Sequence, residues 1–310
     1  MNCLRPITIF LASGALLATM LCEQTALLAR NSWAGEPDGA LPAATSPVKP
    51  GQELIYRASW MGVPVGIARL TFGSDDKSTS LSRGVALVQT NRAADALYKM
   101  HDQLCEDFDA DSFAPRLMEI FQHENHTFNQ YTVTFSEVSG RIETLRRTRR
   151  GAQHHDFQLK NAFGPISAAL KILSQPLEVG RSRSVLVFTG TSYYLVELSV
   201  VRRERIASAM GNADTFLTGA RVVRSSDGSA AESVHNVALW ISAGENHLPL
   251  RAEAMTFVGP VRADLVSVAA QASPRATHCR RMIQANESAP LGLPNGKRNG
   301  SDGLLAAPSP

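Results

Sequence analysis

Short runs in which apolar and polar residues alternate follow one another along most of the chain. In 131–135 the apolar side chains fall at every second position, and 194–200 repeats this pattern. A period of two is typical of a strand with one buried face. Runs of this kind, rich in β-branched or aromatic residues and bounded by glycine, serine or aspartate, predict strands at 53–60, 63–72, 84–91, 127–135, 138–146, 183–188, 193–206, 216–223, 234–242, 250–258 and 261–268.

One segment has helical spacing instead. In 165–174 the apolar residues follow an i, i+3, i+4, i+7 stripe, and Pro165 suits the first turn of a helix. The segment 93–101 is either a second short helix or the end of a strand. Because no repeated helical segments separate the strands, and because a long antiparallel sheet hides its edges by curling, we predict an all-β, mainly antiparallel protein. Its single curled sheet should form an open barrel or β-spiral, with one or two short helices.

The N-terminal segment resembles an export signal. The uncharged apolar stretch 7–21 is shorter than the roughly twenty residues that cross a bilayer, and a small residue, Ala34, offers a cleavage site. We therefore expect a periplasmic protein with a signal peptide at 1–34; an inner-membrane anchor formed by the uncleaved segment is the alternative. Cys105 and Cys279 would remain after cleavage, and they either form a disulfide in that oxidising compartment or stay unpaired.

Proline content and loss of periodicity divide the rest of the chain. We predict a flexible leader at 35–50, a β-barrel-like domain at 51–271 and a disordered tail at 272–310. The net charge of +3 comes from the two ends, so the body is nearly neutral and we expect no nucleic-acid partner. No apolar run of about twenty residues follows position 30, so we expect no stable transmembrane segment after processing.

Catalytic and metal-binding patterns are weak. The sequence has no Gly-x-Ser-x-Gly, HExxH, P-loop or GxGxxG motif. On a strand, His123 and His126 would face opposite sides, and the acidic run 106–111 lacks the glycine and glutamate of a calcium loop, which favours a solvated strand end. We expect no catalytic, metal or cofactor residues and predict a protein that is not an enzyme.

Two other groups are candidates for binding. The arginines of 146–150 suit anionic headgroups, although a charged hairpin tip that keeps the protein soluble is the simpler interpretation; they are Arg146, Arg147, Arg149 and Arg150. Several aromatic residues either line an apolar cavity inside the barrel or form its core: Tyr56, Trp60, Phe72, Phe135, Trp240 and Phe257.

Several segments, taken in order, resemble a known family. The strand, turn and strand of 54–66, the helix entry 163–170 with 176–180, and the closing strands at 216–223, 240–251 and 259–265 are similar to domain-of-unknown-function family 3108. The resemblance covers about 52–268 and implies an exported, β-rich periplasmic protein of Gram-negative bacteria. It brings no catalytic residues with it.

We therefore expect a non-enzymatic periplasmic protein that supports assembly or integrity of the cell envelope by binding envelope components. A carrier of a lipid or apolar small molecule in the barrel interior is the first alternative. A hydrolase acting on envelope glycans is the second, although no carboxylate pair is indicated by spacing alone.

Overall fold

The computed structural model describes residues 9–12, 15–18, 47–74, 80–225, 234–256 and 259–270. Their secondary structure consists of β1 (Ile9–Ala12), β2 (Ala15–Ala18), β3 (Glu53–Trp60), β4 (Val63–Ser74), β5 (Leu81–Thr90), α1 (Arg92–Asp95), β6 (Met100–Asp109), β7 (Pro115–Glu124), β8 (Thr127–Ser136), β9 (Arg141–Thr148), β10 (Gly151–Gln158), β11 (Ala162–Phe163), α2 (Pro165–Leu173), β12 (Ser182–Phe188), β13 (Tyr193–Ser208), β14 (Gly211–Ser225), β15 (Val234–Ser242), β16 (Pro249–Thr256) and β17 (Gly259–Ala269).

Fifteen of the described strands form one sheet, in the order β10 back to β3 and then β17 back to β11. Each half is a meander of neighbouring antiparallel strands, apart from the short edge strand β11, which pairs in parallel with β12. The long-range pairing of β3 with β17 joins the halves. The prediction of a mainly antiparallel, curled and unclosed sheet with one or two short helices is confirmed. Strands β1 and β2 pair only with each other; they lie in the predicted signal peptide, which stays a prediction.

The two edges of the sheet lie on strands that are consecutive in the chain. Strand β10 ends at Gln158 and β11 begins at Ala162, so a three-residue linker connects one edge to the other. On the inner side, Phe157 of β10 meets Phe188 of β12 edge to face, with ring centroids 4.9 Å apart. Side-chain packing thus closes a seam between β10 and β12 that backbone pairing leaves open in the described part of the chain.

Strands β6, β7 and β10 were not predicted, and the interpretation of the acidic run was wrong at two positions. Glu106 and Asp107 are buried, not at a solvated strand end. Asp107 pairs with Arg83 of β5 through two hydrogen bonds of 2.5 and 2.7 Å. Glu106 points into the barrel. Carboxylates on both faces of β6 hide the alternation that identifies a strand.

The buried Glu106 fixes where α2 begins. Gly164 occupies the N-cap position but has no side chain to accept a hydrogen bond from the first turn. The carboxylate of Glu106 takes that role: it accepts hydrogen bonds from the backbone amides of Ile166 (2.9 Å) and Ser167 (3.3 Å), and the Ser167 hydroxyl donates to it as well. A negative charge at a helix N-terminus also interacts favourably with the helix dipole.

Two glycines allow this close approach. A Cβ at Gly164 would lie 2.3 Å from Glu106 Oε1, and one at Gly84 of β5 would lie 2.7 Å from Cγ2 of Ile166. Neither position has room for a side chain. The helix therefore packs directly on the inner face of β5 and β6, with Ile166, Leu170 and Leu173 buried in the core.

Burial raises the pKa of Glu106 from 4.5 to about 7, and the hydrogen bonds from Ser167 and the helix amides partly oppose that rise. A carboxyl whose pKa is raised on folding stabilises the fold most at low pH. That contribution declines as the pH rises from the unfolded value of 4.5 to about 7.

We predict that Glu106→Ala lowers the free energy of unfolding by roughly 3 kcal/mol or more, because it orphans buried donors and leaves a cavity. Glu106→Gln keeps one acceptor oxygen, so it should cost less and should flatten the pH dependence between about pH 4 and about pH 8. Urea unfolding monitored by tryptophan fluorescence measures both. Glu197→Ala, on the outer face of β13, is the control, and a loss as large in that variant would contradict the role of Glu106.

Candidate functional site

A pocket of about 430 Å³ opens at one end of the sheet. Its walls come from the connections that follow β6, β8 and β10, together with α2. Alternate strands of an antiparallel meander run in the same direction, so these connections necessarily lie at the same end. The volume is within the range of small-molecule sites. We call this feature the mouth pocket; it is lined by Ser112, Ala114, Pro115, Phe135, Ser136, Glu137, Val138, Gly140, Ile142, Leu159, Lys160, Asn161, Ala162, Phe163 and Lys171.

The apolar part of the mouth pocket has a buried base and an exposed rim. Ile142 is buried, while Phe135, Leu159 and Phe163 are half-buried and also pack against the core. Val138, in the turn between β8 and β9, is 100% exposed. An apolar ligand that enters the pocket would cover this exposed side chain and remove it from water.

Two lysines and one glutamate supply the charge of the mouth pocket. Lys160 belongs to the linker between the sheet edges, and its stem lies against Gly140, whose φ of +69° and missing Cβ leave room for it. The linker is held there because the amide of Leu159 donates to the Gly140 carbonyl (2.8 Å). Lys171 is the one charged residue of α2 and is half-buried. Glu137 is exposed on the outer rim.

Apart from Phe135, sequence reasoning did not identify the residues of the mouth pocket. Lys160 and Lys171 are single charges without a motif, and Val138 was assigned to a strand that in fact begins at Arg141. The short, polar 159–161 segment carried no indication that it crosses between sheet edges. Only the strand order brings the three connections and α2 together.

A second polar group lies on the inner face at the far end of β6 and β7. The buried carboxyls of Asp102 and Glu124 interact with each other, Tyr98 donates to Glu124 (2.5 Å), and the His123 amide donates to Asp102 (3.0 Å). Burial, then the charge of Glu124, raises the pKa of Asp102 far above its usual 3.8. The raised pKa favours the protonated form of Asp102 over a wider pH range than in water. Burial similarly raises the pKa of Tyr98 and lowers that of His101.

The four arginines do not form one patch. Arg146 faces inward, where it donates to Asn129 (2.9 Å) and lies 5.7 Å from the centroid of the Tyr131 ring. Arg147, Arg149 and Arg150 are exposed. Because β9 begins near the mouth pocket and ends at these arginines, they lie at the opposite end of the sheet. Alternation along β9 places Arg146 and Arg147 on opposite faces. Contact of the exposed arginines with an anionic headgroup stays a prediction.

The six aromatic candidates are also dispersed. Tyr56 and Phe72 are buried core residues, and the Tyr56 hydroxyl donates to the Pro249 carbonyl (2.9 Å). Trp60 is half-buried at the end of β3, and Phe135 lines the mouth pocket. Trp240 lies on the face opposite the buried Leu239 and Ile241, and there it donates to Glu204 (2.5 Å). Phe257 lies outside the described residues.

Cys105 is buried and disulfide-bonded. The other cysteines of the chain, Cys3, Cys22 and Cys279, all lie outside the described residues. Pairing of Cys105 with Cys279, one of the two alternatives that the sequence left open, therefore stays a prediction.

The described residues contain no group of three or more His, Cys, Asp or Glu side chains arranged to hold a metal ion. Asn125, with a φ of +49°, and His126 form the turn between β7 and β8, so His123 and His126 do not share a strand. Neither described helix is long and apolar enough to cross a membrane.

The fold and the mouth pocket define a barrel-like β protein whose curled sheet stays open along one seam and carries a pocket at one end. The chain belongs to the family described as "Protein of unknown function (DUF3108)", which it matches over residues 55–266. No curated protein matches the chain.

Solved structures give more distant likenesses. A β-barrel-like DUF1849 protein from Brucella abortus is 10% identical with a TM-score of 0.47, and the match covers 70% of this chain and 96% of that one. An exported protein with a YmcC-like fold from Bacteroides fragilis is 9% identical with a TM-score of 0.33, covering 73% and 99%. The hypothetical lipoprotein YmcC from Escherichia coli is 9% identical with a TM-score of 0.28, covering 71% and 85%.

We predict that Asp102→Asn makes the protein more stable at alkaline pH. In the native protein, the stability that comes from the protonated Asp102 carboxyl is fully present below pH 3.8 and is lost as the pH rises towards the raised pKa. An asparagine still accepts from the His123 amide and donates to Glu124 without titrating. Between about pH 5 and about pH 9, the variant should lose less stability than the native protein, by on the order of a few kcal/mol.

Urea unfolding midpoints across that pH range provide the measurement. Asp111→Asn, which changes an exposed aspartate in the turn after β6, is the matched control and should follow the native curve. An unchanged pH slope in Asp102→Asn would mean that the buried pair does not share a proton.

Proposed function

We propose that the protein is a non-catalytic binding protein of the cell envelope and that the mouth pocket binds the apolar part of an envelope component. The pocket itself carries this proposal, because it combines a suitable volume, half-buried aromatic side chains and a fully exposed valine at its rim. The short N-terminal apolar stretch supports an envelope location, with a periplasmic protein as the specific form of the proposal.

The mouth pocket is a better candidate for carrying an apolar ligand than the barrel centre. Helix α2 packs on β5 and β6 so closely that two glycines are required, and its apolar side chains belong to the same core as Tyr56, Phe72 and Leu265. If the protein is a carrier, we therefore place its ligand at the end of the barrel and not in the interior. A ligand held there would exchange with a membrane or a partner without the sheet having to open.

The glycan-hydrolase alternative has less support. Asp102 and Glu124 form a buried carboxyl pair, but they are diagonal neighbours on β6 and β7 and interact directly with each other. Glycoside hydrolases hold their two carboxyls about 5 to 9.5 Å apart so that a sugar ring and a water can lie between them. A pair of interacting carboxyls whose other partners are Tyr98 and the His123 amide suits a structural role in the wall of the barrel.

We predict that Val138→Asp weakens binding of an uncharged apolar ligand by about tenfold or more, because a carboxylate at the rim would be desolvated by that ligand. The probe is N-phenyl-1-naphthylamine, whose fluorescence rises in apolar surroundings. Leu97→Asp is the control, since it makes the same change at an exposed apolar residue at the other end of the sheet. No binding by the native protein, or equal loss in both variants, would contradict the proposed site.

The envelope role has its own test in cells. Deletion of the coding sequence should increase sensitivity to detergent and to osmotic shock, because the proposed component would no longer be bound. The native gene and Leu97→Asp should restore resistance, and Val138→Asp should not. Unchanged sensitivity in the deletion strain would count against an envelope function, whatever the pocket binds in solution.

A further inference from the structure

We infer that the mouth pocket selects single-chain amphiphiles with an anionic headgroup, which Lys160 and Lys171 bind while the hydrocarbon chain lies along Phe135 and Phe163. This inference rests on the proposed function and adds the chemical class of the ligand. It depends on three features of the pocket, namely its charge, the way its lysines are positioned, and its size.

The charge of the mouth pocket favours an anion. Neither Lys160 nor Lys171 forms an ion pair with any part of the chain that the structure describes. By contrast, two buried aspartates elsewhere in the fold have arginine partners: Asp107 pairs with Arg83, and Asp264 with Arg251. The exposed Glu137 on the rim offsets one of the two positive charges. A ligand carrying one negative charge would therefore neutralise the pocket.

Both lysines are attached to parts of the fold that are held in place. The stem of Lys160 lies against Gly140, and its linker is tied to the β8–β9 turn by the Leu159 amide. Lys171 projects from α2, and Glu106 fixes the start of that helix. The two lysine stems thus reach the pocket from different elements. Because both elements are held in place, less conformational entropy is lost when the lysines bind a headgroup.

The size of the mouth pocket restricts the ligand to one chain. A volume of about 430 Å³ holds on the order of a dozen heavy atoms, since one water molecule occupies about 30 Å³. That is enough for a headgroup and the first part of one hydrocarbon chain. A lipid with two chains would leave one of them in water, so fatty acids and similar single-chain anions fit best.

The test compares ligands that share one chain and differ in charge: dodecanoate, dodecan-1-ol and dodecyltrimethylammonium, each below its micelle concentration. Isothermal titration calorimetry measures Kd for the native protein and for the double variant Lys160→Met, Lys171→Met. Methionine keeps an unbranched apolar stem, so the packing of both side chains is preserved. Lys99→Met, an exposed lysine at the other end of β6, is the matched control.

The native protein should bind dodecanoate about tenfold more tightly than dodecanol, and the ammonium compound most weakly. The double variant should lose that preference without losing affinity for dodecanol, and Lys99→Met should behave as the native protein does. Raising the salt concentration should weaken only dodecanoate binding. Unfolding midpoints are measured alongside; if the double variant does not fold, Lys160→Met alone provides the comparison.

The outcomes separate the two proposals. Equal affinity for dodecanoate and dodecanol, or tighter binding of the ammonium compound, would overturn the anion selectivity and leave an apolar site in the mouth pocket. Anion preference that survives in the double variant would show that other groups provide it and would overturn the role of the lysines. If the native protein binds none of the three compounds, both the selectivity and the proposed function fail.

Discussion

The contact between Glu106 and the first turn of α2 is the constraint on which the rest of the structure depends. A carboxylate with no exposed surface satisfies the backbone amides that an N-terminal helix turn cannot satisfy itself. Without it, burying that turn inside a barrel would cost several unpaired donors. The helix in turn fills the centre of the curled sheet and presents Lys171 at the mouth pocket. Core, helix and pocket are therefore positioned by one buried carboxyl group.

The open seam of the sheet has a functional consequence. A closed barrel would also pair β10 with a strand on its other side, whereas among the described strands β10 pairs with β9 alone and the 159–161 linker crosses from one edge of the sheet to the other. Here the crossing places Leu159 and Lys160 over the end of the sheet, where they complete a pocket. Phe157 and Phe188 hold the edges together through ring contacts. The seam and the pocket thus arise from the same connection.

Much of the fold could be predicted from the sequence, and the failures have physical causes. Strands such as β3, β8 and β13 alternate clearly because one face is apolar, and Pro165 marks the start of α2 correctly. Strand β6 was missed since its inner face carries Asp102 and Glu106, whose burial depends on partners from β7 and α2. For Arg146 and Arg147, alternation already implied opposite faces. Because the arginines are close together in the sequence, that clustering nevertheless indicated one candidate patch.

The sequence by itself determined that the chain forms antiparallel strands with one short helix, because alternation and turn residues act over a few neighbouring positions. Only the tertiary structure decided which charges are buried and where the mouth pocket lies. Those properties depend on strand register and on the crossing between sheet edges, which bring Val138, Lys160 and Lys171 together from separate elements. Local sequence patterns do not show which residues from separate elements come into contact. Whether a side chain of a strand is buried depends on the layer that packs against it, and not on the strand alone.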